Sequence, residues 1–299
     1  DAARVVGFYP LTRIGYAAGV RLYEQSVRAA FASAPVAVPA SAIAYAPAPA
    51  PPLSSAEAAS ILARSRANPL AIPVPSAVEL DGLLALHAPT FVVDTRGAHD
   101  RIGRPVLGAD GLATTSPAPV VSARIAHTRF AGRVLLQLVY TIWFPERPPA
   151  WPGDILAGRL DGVMWRVTLD DDGAPLVFDS IHPCGCYHLF VPTARVVAKP
   201  PQPTLDEQAL VPATLPALAV GAAVTVFIES GNHYVRAVRA REPPVAEPIR
   251  YRVARDDALR ALAHPDGGTR SLYGPDGLVS GAAGADVVLS RPLGVRLPG

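Results

Sequence analysis

Three pairs of apolar, β-rich segments, each pair joined by a turn of a few residues, constrain this chain more than any other feature of its sequence. Ser122 to Phe130 and Arg133 to Phe144 flank Ala131-Gly132. Val163 to Leu169 and Pro175 to Ser180 flank Asp170-Asp171-Asp172-Gly173, and Val224 to Glu229 and His233 to Val238 flank Ser230-Gly231-Asn232. β-Branched and aromatic residues fit an extended, half-buried chain, while Gly, Asn and Asp supply the backbone conformations of tight turns. The three aspartates lack the alternating spacing of a calcium loop and read as turn residues. Phe91-Val92-Val93 adds a short apolar run. Adjacent hairpins predict a mainly β core of antiparallel strands, sandwich or barrel-like, with helices gathered toward the N-terminus: α+β overall.

The helices carry their own signals. Leu11, Ile14, Ala18, Leu22, Val27 and Phe31 recur about one turn apart and predict an amphipathic helix within an N-terminal segment, residues 1–33. Residues 34–53, APVAVPASAIAYAPAPAPPL, are rich in proline, which fixes its own backbone and extends the residue before it. They predict a linker arm rather than a core element. The mainly β domain then spans 54–299. Two short helices open it, each with the serine and glutamate of a capping box: Ser54 with Glu57, and Ser76 with Glu79. They are expected to end near Arg66 and His87, ahead of Asn68-Pro69 and Ala88-Pro89. Asp256 to Ala263 predicts one more helix, and 265–299 is rich in glycine and proline with weak periodicity.

Charge and composition exclude several functions. The 27 basic residues against 25 acidic ones give a net charge of +2, too little for a dedicated nucleic-acid binder. No phosphate loop or dinucleotide fingerprint is present. A chain that is 50% hydrophobic and 17% charged is not disordered throughout. The longest apolar stretch, Val5 to Val27, is interrupted by Arg13, Arg21 and Glu24 and falls short of a membrane span. Lys199 is the only lysine, and the 33 prolines accompany abundant alanine, the codon usage of a GC-rich genome. A first residue of Asp1 is what removal of a signal peptide leaves, and equally what any cut piece of a longer chain shows. With the proline-rich linkers, the expectation is an exported bacterial protein, periplasmic or membrane-associated.

Chemistry concentrates in residues 179–190, Asp-Ser-Ile-His-Pro-Cys-Gly-Cys-Tyr-His-Leu-Phe. His182, Cys184, Cys186 and His188 occupy alternate positions, which on a strand places all four side chains on one face. Thiolate and imidazole are preferred ligands of zinc and copper. A straight strand spaces alternate residues about 6.6 Å apart, too far for four ligands to meet one ion. Pro183 and Gly185 can bend the chain so that two or three converge. His127 and His233, on neighbouring strands, are candidates for the remaining ligands, with His99 of DTRGAHDRIG a third. Cys184 and Cys186, the only cysteines, are also spaced for a small-ring disulfide, structural or redox-active.

The segments YTIWFPERPP, DILAGRLDGVMWRVTLDDDG and DSIHPCGCYHLF, with the later SLYGPDGLV, resemble a set of uncharacterised exported bacterial proteins that share WFPxRP and HxCGCYH segments. The likeness covers most of residues 60–280 and implies export and a shared domain, with no catalytic assignment. The first expectation is therefore an exported protein that binds zinc or copper at residues 182–188; an open coordination position would make it a metalloenzyme. The alternative is a non-catalytic accessory subunit of a bacterial envelope complex. It would dock an envelope or membrane protein through residues 1–53 and carry a Cys184–Cys186 disulfide.

Overall fold

The computed structural model describes residues 9–33, 38–51, 53–152, 154, 156–200, 208–240, 247–275 and 279, with side chains from residue 17 onward. The three hairpins form where turn chemistry places them. Strands β5 (Val120–Phe130) and β6 (Arg133–Arg147) pair across Ala131 and Gly132, whose φ values of 49° and 78° are those of a two-residue hairpin turn. β7 (Gly158–Leu169) and β8 (Pro175–Ile181) pair across the aspartate turn, closed by Gly173 at φ 81°. That turn is a charge cluster: Arg195 reaches Asp170 and Asp172 at 3.0 and 2.9 Å, and Arg133 and Arg66 contact Asp171. β10 (Thr225–Ile228) and β11 (Val235–Arg239) form the third hairpin.

The hairpins belong to one ten-stranded, nearly closed, barrel-like sheet, completed by β1 (Ala42–Pro47), β2 (Thr90–Asp94), β9 (Leu189–Pro192) and β12 (Ile249–Arg255). Its order is β11-β10-β2-β1-β12-β5-β6-β7-β8-β9. Two departures from the sequence reading stand out. Residues 42–47, expected to be part of a linker, are a strand between β2 and β12 with Ala44, Tyr45 and Ala46 buried. A proline-bounded run of Ala, Ile and Tyr is extended by default, and here the extension is used in a sheet. The β1–β12, β12–β5 and β10–β2 pairs are also parallel, joining segments far apart in sequence.

From Leu138 to Phe144, β6 is buried on both faces. Tyr140, Ile142 and Phe144 enter the main core. Trp143 points the other way, into a small cluster with Ala113, Leu160, Leu259 and Leu272. The outer cluster lies under a two-stranded ribbon, β3 (Arg104–Leu107) and β4 (Ala113–Ser116), and the segment that follows β12. That segment is a 3-10 turn, Asp256–Arg260, leading into β13 (Leu262–Ala263), rather than the expected helix to Ala263. Only the first part of the 265–299 tail lies within the described residues.

Helices α1 (Tyr9–Ala32), α2 (Ser55–Ser65) and α3 (Ala77–Leu86) occupy the expected places, and both capping boxes are formed. α2 and α3 contribute Ala58, Ile61, Leu62, Leu80, Leu83 and Leu84 to the main core. Buried tyrosines tie them to the sheet: Tyr140 donates to the Leu84 carbonyl at 2.8 Å, and Tyr251 to that of Pro89 at 2.6 Å. α1 lies against both ends of the strand order. Its Val27 and Phe31 are buried, Arg28 donates to the Val211 carbonyl beyond β9, and Ser26 accepts from Arg236 of β11. Among the described residues no helix is long and apolar enough to cross a membrane.

Tyr251 is fully buried, so removing its hydroxyl leaves the Pro89 carbonyl without a donor. Tyr251→Phe is expected to lower stability by about 1–2 kcal/mol in urea denaturation, with the cooperativity of the transition unchanged.

Candidate functional site

One rim of the sheet gathers four chain segments: the 3-10 turn Ala98–Asp100, the start of β7, the β8–β9 connection and the β10–β11 turn. The first is anchored by Gly103, whose amide donates to the Trp143 carbonyl at 3.0 Å. A Cβ on Gly103 would come within 2.3 Å of the Ser116 carbonyl oxygen, so only glycine allows this approach. Asp161 of β7 stands opposite Phe144 of β6. The Phe144 ring stacks on the imidazole of His233, with centroids 3.7 Å apart and planes within 4°.

His233 is the centre of this arrangement. It is fully buried, and its backbone takes a left-handed φ of 55°, a conformation that disfavours any residue with a Cβ. Nδ1 lies 2.7 Å from Asp161 Oδ2. Nε2 lies 3.3 Å from Asp100 Oδ1, within ion-pair range but off line for a hydrogen bond. Asp100, also fully buried, accepts from the amides of Arg96, Gly97 and Gly231 and from the Ser230 hydroxyl, and His99 Nε2 lies 3.2 Å away. Burial alone would raise both carboxyl groups. The imidazoles and, at Asp100, these donors overcome it and hold both well below the usual carboxylate range. Burial would likewise depress His233, and the two carboxylates overcome it and raise its affinity for a proton.

Asp161 also faces His182, Nδ1 to Oδ1 3.5 Å, which extends the row to Asp100, His233, Asp161 and His182. His182 begins the β8–β9 connection. β8 ends at Ile181 and β9 starts at Leu189, so residues 182–188 are a turn and do not follow the alternation of a strand. The His182 amide donates to the Cys186 carbonyl at 3.0 Å, and the Gly185 amide to the His182 carbonyl at 2.8 Å. Gly185 and Tyr187 both adopt left-handed φ values, 83° and 60°. Gly162 lets the turn settle on β7, because a Cβ there would meet Pro183 at 3.2 Å.

The turn carries both sulfurs. Cys184 is exposed and Cys186 half-buried, and both are free thiols here. The Cys184 thiol is pulled down from an ordinary 9.0 to about 6, first by the Cys186 thiol, then by the Cys186 amide and the His182 imidazole, against the opposing effect of desolvation. An aromatic group flanks the turn: the rings of Tyr187 and Tyr234 lie 4.4 Å apart, and Tyr23 of α1 packs on both at 4.9 and 5.0 Å. The Arg147 guanidinium sits over Tyr187 and Tyr234 at 5.6 and 5.4 Å and donates to the Tyr234 hydroxyl. Burial raises the phenols of Tyr23 and Tyr187, which keeps them neutral.

The structure thus brings together His182, Cys184, Cys186 and His233 of the residues singled out in the sequence, with His99 behind Asp100. It places the other two elsewhere. His188 Nε2 lies 3.1 Å from Asp179 and 2.9 Å from Arg166, and His127 on β5 bonds the Pro73 carbonyl at 2.7 Å. Among the described residues no group of three or more His, Cys, Asp or Glu side chains converges in the manner of a metal site. The sequence reading missed Asp100, Asp161, Tyr187, Tyr234 and Tyr23. Asp161 had a signal, a carboxylate interrupting the apolar strand segment LDGVMW; the tyrosines had none beyond their residue type.

Removing one partner of a buried charge cluster leaves the others uncompensated. Asp100→Asn is expected to lose on the order of 3 kcal/mol of stability in urea denaturation at neutral pH. The pH dependence follows from the shifts. The depressed carboxylates contribute fully above the ordinary carboxylate range, and their contribution is lost as pH falls through their folded values. The raised His233 contributes fully below the ordinary histidine value, and its share is lost as pH rises through its folded value. The gap between wild type and Asp100→Asn is therefore expected to narrow at both ends of a pH series. No protein-family model, curated protein or solved structure matches this chain.

Proposed function

We propose that this chain acts through its paired thiols, as a dithiol–disulfide exchange protein. The observation that supports the reading is the turn itself, in which bonds between His182, Gly185 and Cys186 hold an exposed Cys184 two residues from a second free thiol. A low-pKa, accessible thiol beside a resolving cysteine is the arrangement that thiol exchange requires. The Cys184 thiolate attacks one sulfur of a substrate disulfide. That forms a mixed disulfide and expels the other half of the substrate as a thiolate. The Cys186 thiolate then attacks Cys184, releasing the second half and leaving a Cys184–Cys186 disulfide. Two electrons pass from the protein dithiol to the substrate, and the two thiol protons end on the released thiols. Gly185 gives the backbone freedom that so short a ring needs. His182, backed by Asp161, is placed to favour the thiolate of Cys184. Export to the bacterial envelope, proposed with this reading, would favour the Cys184–Cys186 disulfide at rest, from which the same exchange runs in reverse: a substrate thiolate attacks it, a second substrate thiolate resolves the mixed disulfide, and the two electrons pass to the protein.

The same turn supports a second reading, a zinc or copper site. Two sulfurs and the His182 imidazole within five residues are donors those ions prefer. On that reading, elemental analysis of protein purified without added metal finds about one ion per chain, and Cys184→Ser with Cys186→Ser removes it.

The exchange reading has two direct tests. The rate of iodoacetamide modification of Cys184 is expected to rise between pH 5 and 7, with a midpoint of about 6, and then to level off. In Cys186→Ala the midpoint moves up toward the ordinary thiol value, because the thiol donor is gone. With glutathione disulfide, the reduced wild-type protein should lose two hydrogens in its mass, and Cys186→Ala should stop at one bound glutathione. Equal reactivity of the two cysteines, with an ordinary thiol midpoint, would overturn the proposal.

A further inference from the structure

A cavity of the described structure lies away from the thiol turn. Its volume is about 880 Å³, within the range of small-molecule sites. It opens between α3, the β3–β4 ribbon, the start of β5 and the path from β12 through the 3-10 turn to β13. Leu84, Val120 and Leu259, all buried, form its floor, and Val106, Val253 and Leu262 are half-buried in its walls.

The charge around this apolar chamber is one-sided. Arg104, Arg252 and Arg255 line it, against a single carboxylate, Asp81. Arg255 is already committed: its Nη2 lies 2.9 Å from Asp81 Oδ1 and donates to the Ala77 carbonyl. Arg104 and Arg252 are exposed, and among the described residues neither guanidinium has an ion-pair or hydrogen-bond partner. They sit on separate elements that line the chamber, the first residue of β3 and the middle of β12. Two uncommitted guanidiniums match a small oxyanion, which they bind through paired N–H donors. The apolar walls match a hydrocarbon body.

We infer that this cavity binds an amphipathic anion, a hydrocarbon chain ending in a carboxylate, with the chain on Leu84, Val120 and Leu259 and the head between Arg104 and Arg252. A fatty carboxylate and an alkyl phosphate share this chemistry, and the site is independent of Cys184.

The test is calorimetric titration of the full chain with dodecanoate, dodecyl phosphate, dodecanol and dodecyltrimethylammonium, each kept below its micelle concentration. Saturable one-to-one binding of dodecanoate is expected, at least tenfold tighter than that of dodecanol, with no binding of the cation. Tighter binding of dodecyl phosphate would reassign the head group to a phosphate within the same site. Arg104→Gln with Arg252→Gln, both exposed changes, should weaken dodecanoate tenfold or more and leave dodecanol unchanged. Val106→Trp should reduce binding of both, and a retained circular-dichroism spectrum and melting transition show that the sheet is intact. Non-saturable uptake of all four compounds, or dodecanoate binding indifferent to both arginines, would overturn the inference.

Discussion

An imidazole enclosed between two carboxylates, out of reach of water, fixes the rim on which this protein carries its thiols. Taking three ionisable groups out of water is costly, and the expense is recovered only because each charge faces an opposite one and Asp100 accepts several further hydrogen bonds. The geometry leaves little freedom. The His233 ring is pinned in plane by Phe144, its Nδ1 by Asp161 and its Nε2 by Asp100. Because these groups come from the 3-10 turn, β7 and the β10–β11 turn, the cluster specifies how three distant stretches meet. His182 joins through Asp161, and with it the turn that carries both sulfurs.

Most of the fold was legible because it is local. The hairpin turns at Ala131-Gly132, Asp170–Gly173 and Ser230–Asn232, and the capping boxes at Ser54 and Ser76, each bring their explanation within a few residues of chain. The parallel pairs were not legible, since they join residues 42–47 to 249–255 and 90–94 to 225–228, and no local pattern encodes such partners. Proline content misled at β1, because it signals extension and extension serves a spacer and a strand equally well.

The candidate site divides along the same line. Cys184, Cys186 and His182 announced themselves by residue type and clustering. Alternation as a strand suggested that His188 shared their face, but Gly185 and Tyr187 take left-handed conformations that end the alternation, and His188 turns to Asp179 and Arg166. His233 was found as a histidine near a strand, while the carboxylates that give it meaning lie 72 and roughly twice as many residues away in sequence.

The sheet comes close to a full circle without a ladder of backbone bonds between β9 and β11. Backbone bonds from Leu210 and Leu215 occupy the outer edge of β9, and α1 lies over the interval with Tyr23 on the tyrosines of both turns, Ser26 accepting from Arg236, and Arg28 reaching past β9. The closure between β9 and β11 thus rests on side chains of α1 added to that backbone pairing. Tyr187 is part of this closure and adjoins Cys186, so the helix and the loop that carries the sulfurs share one set of contacts.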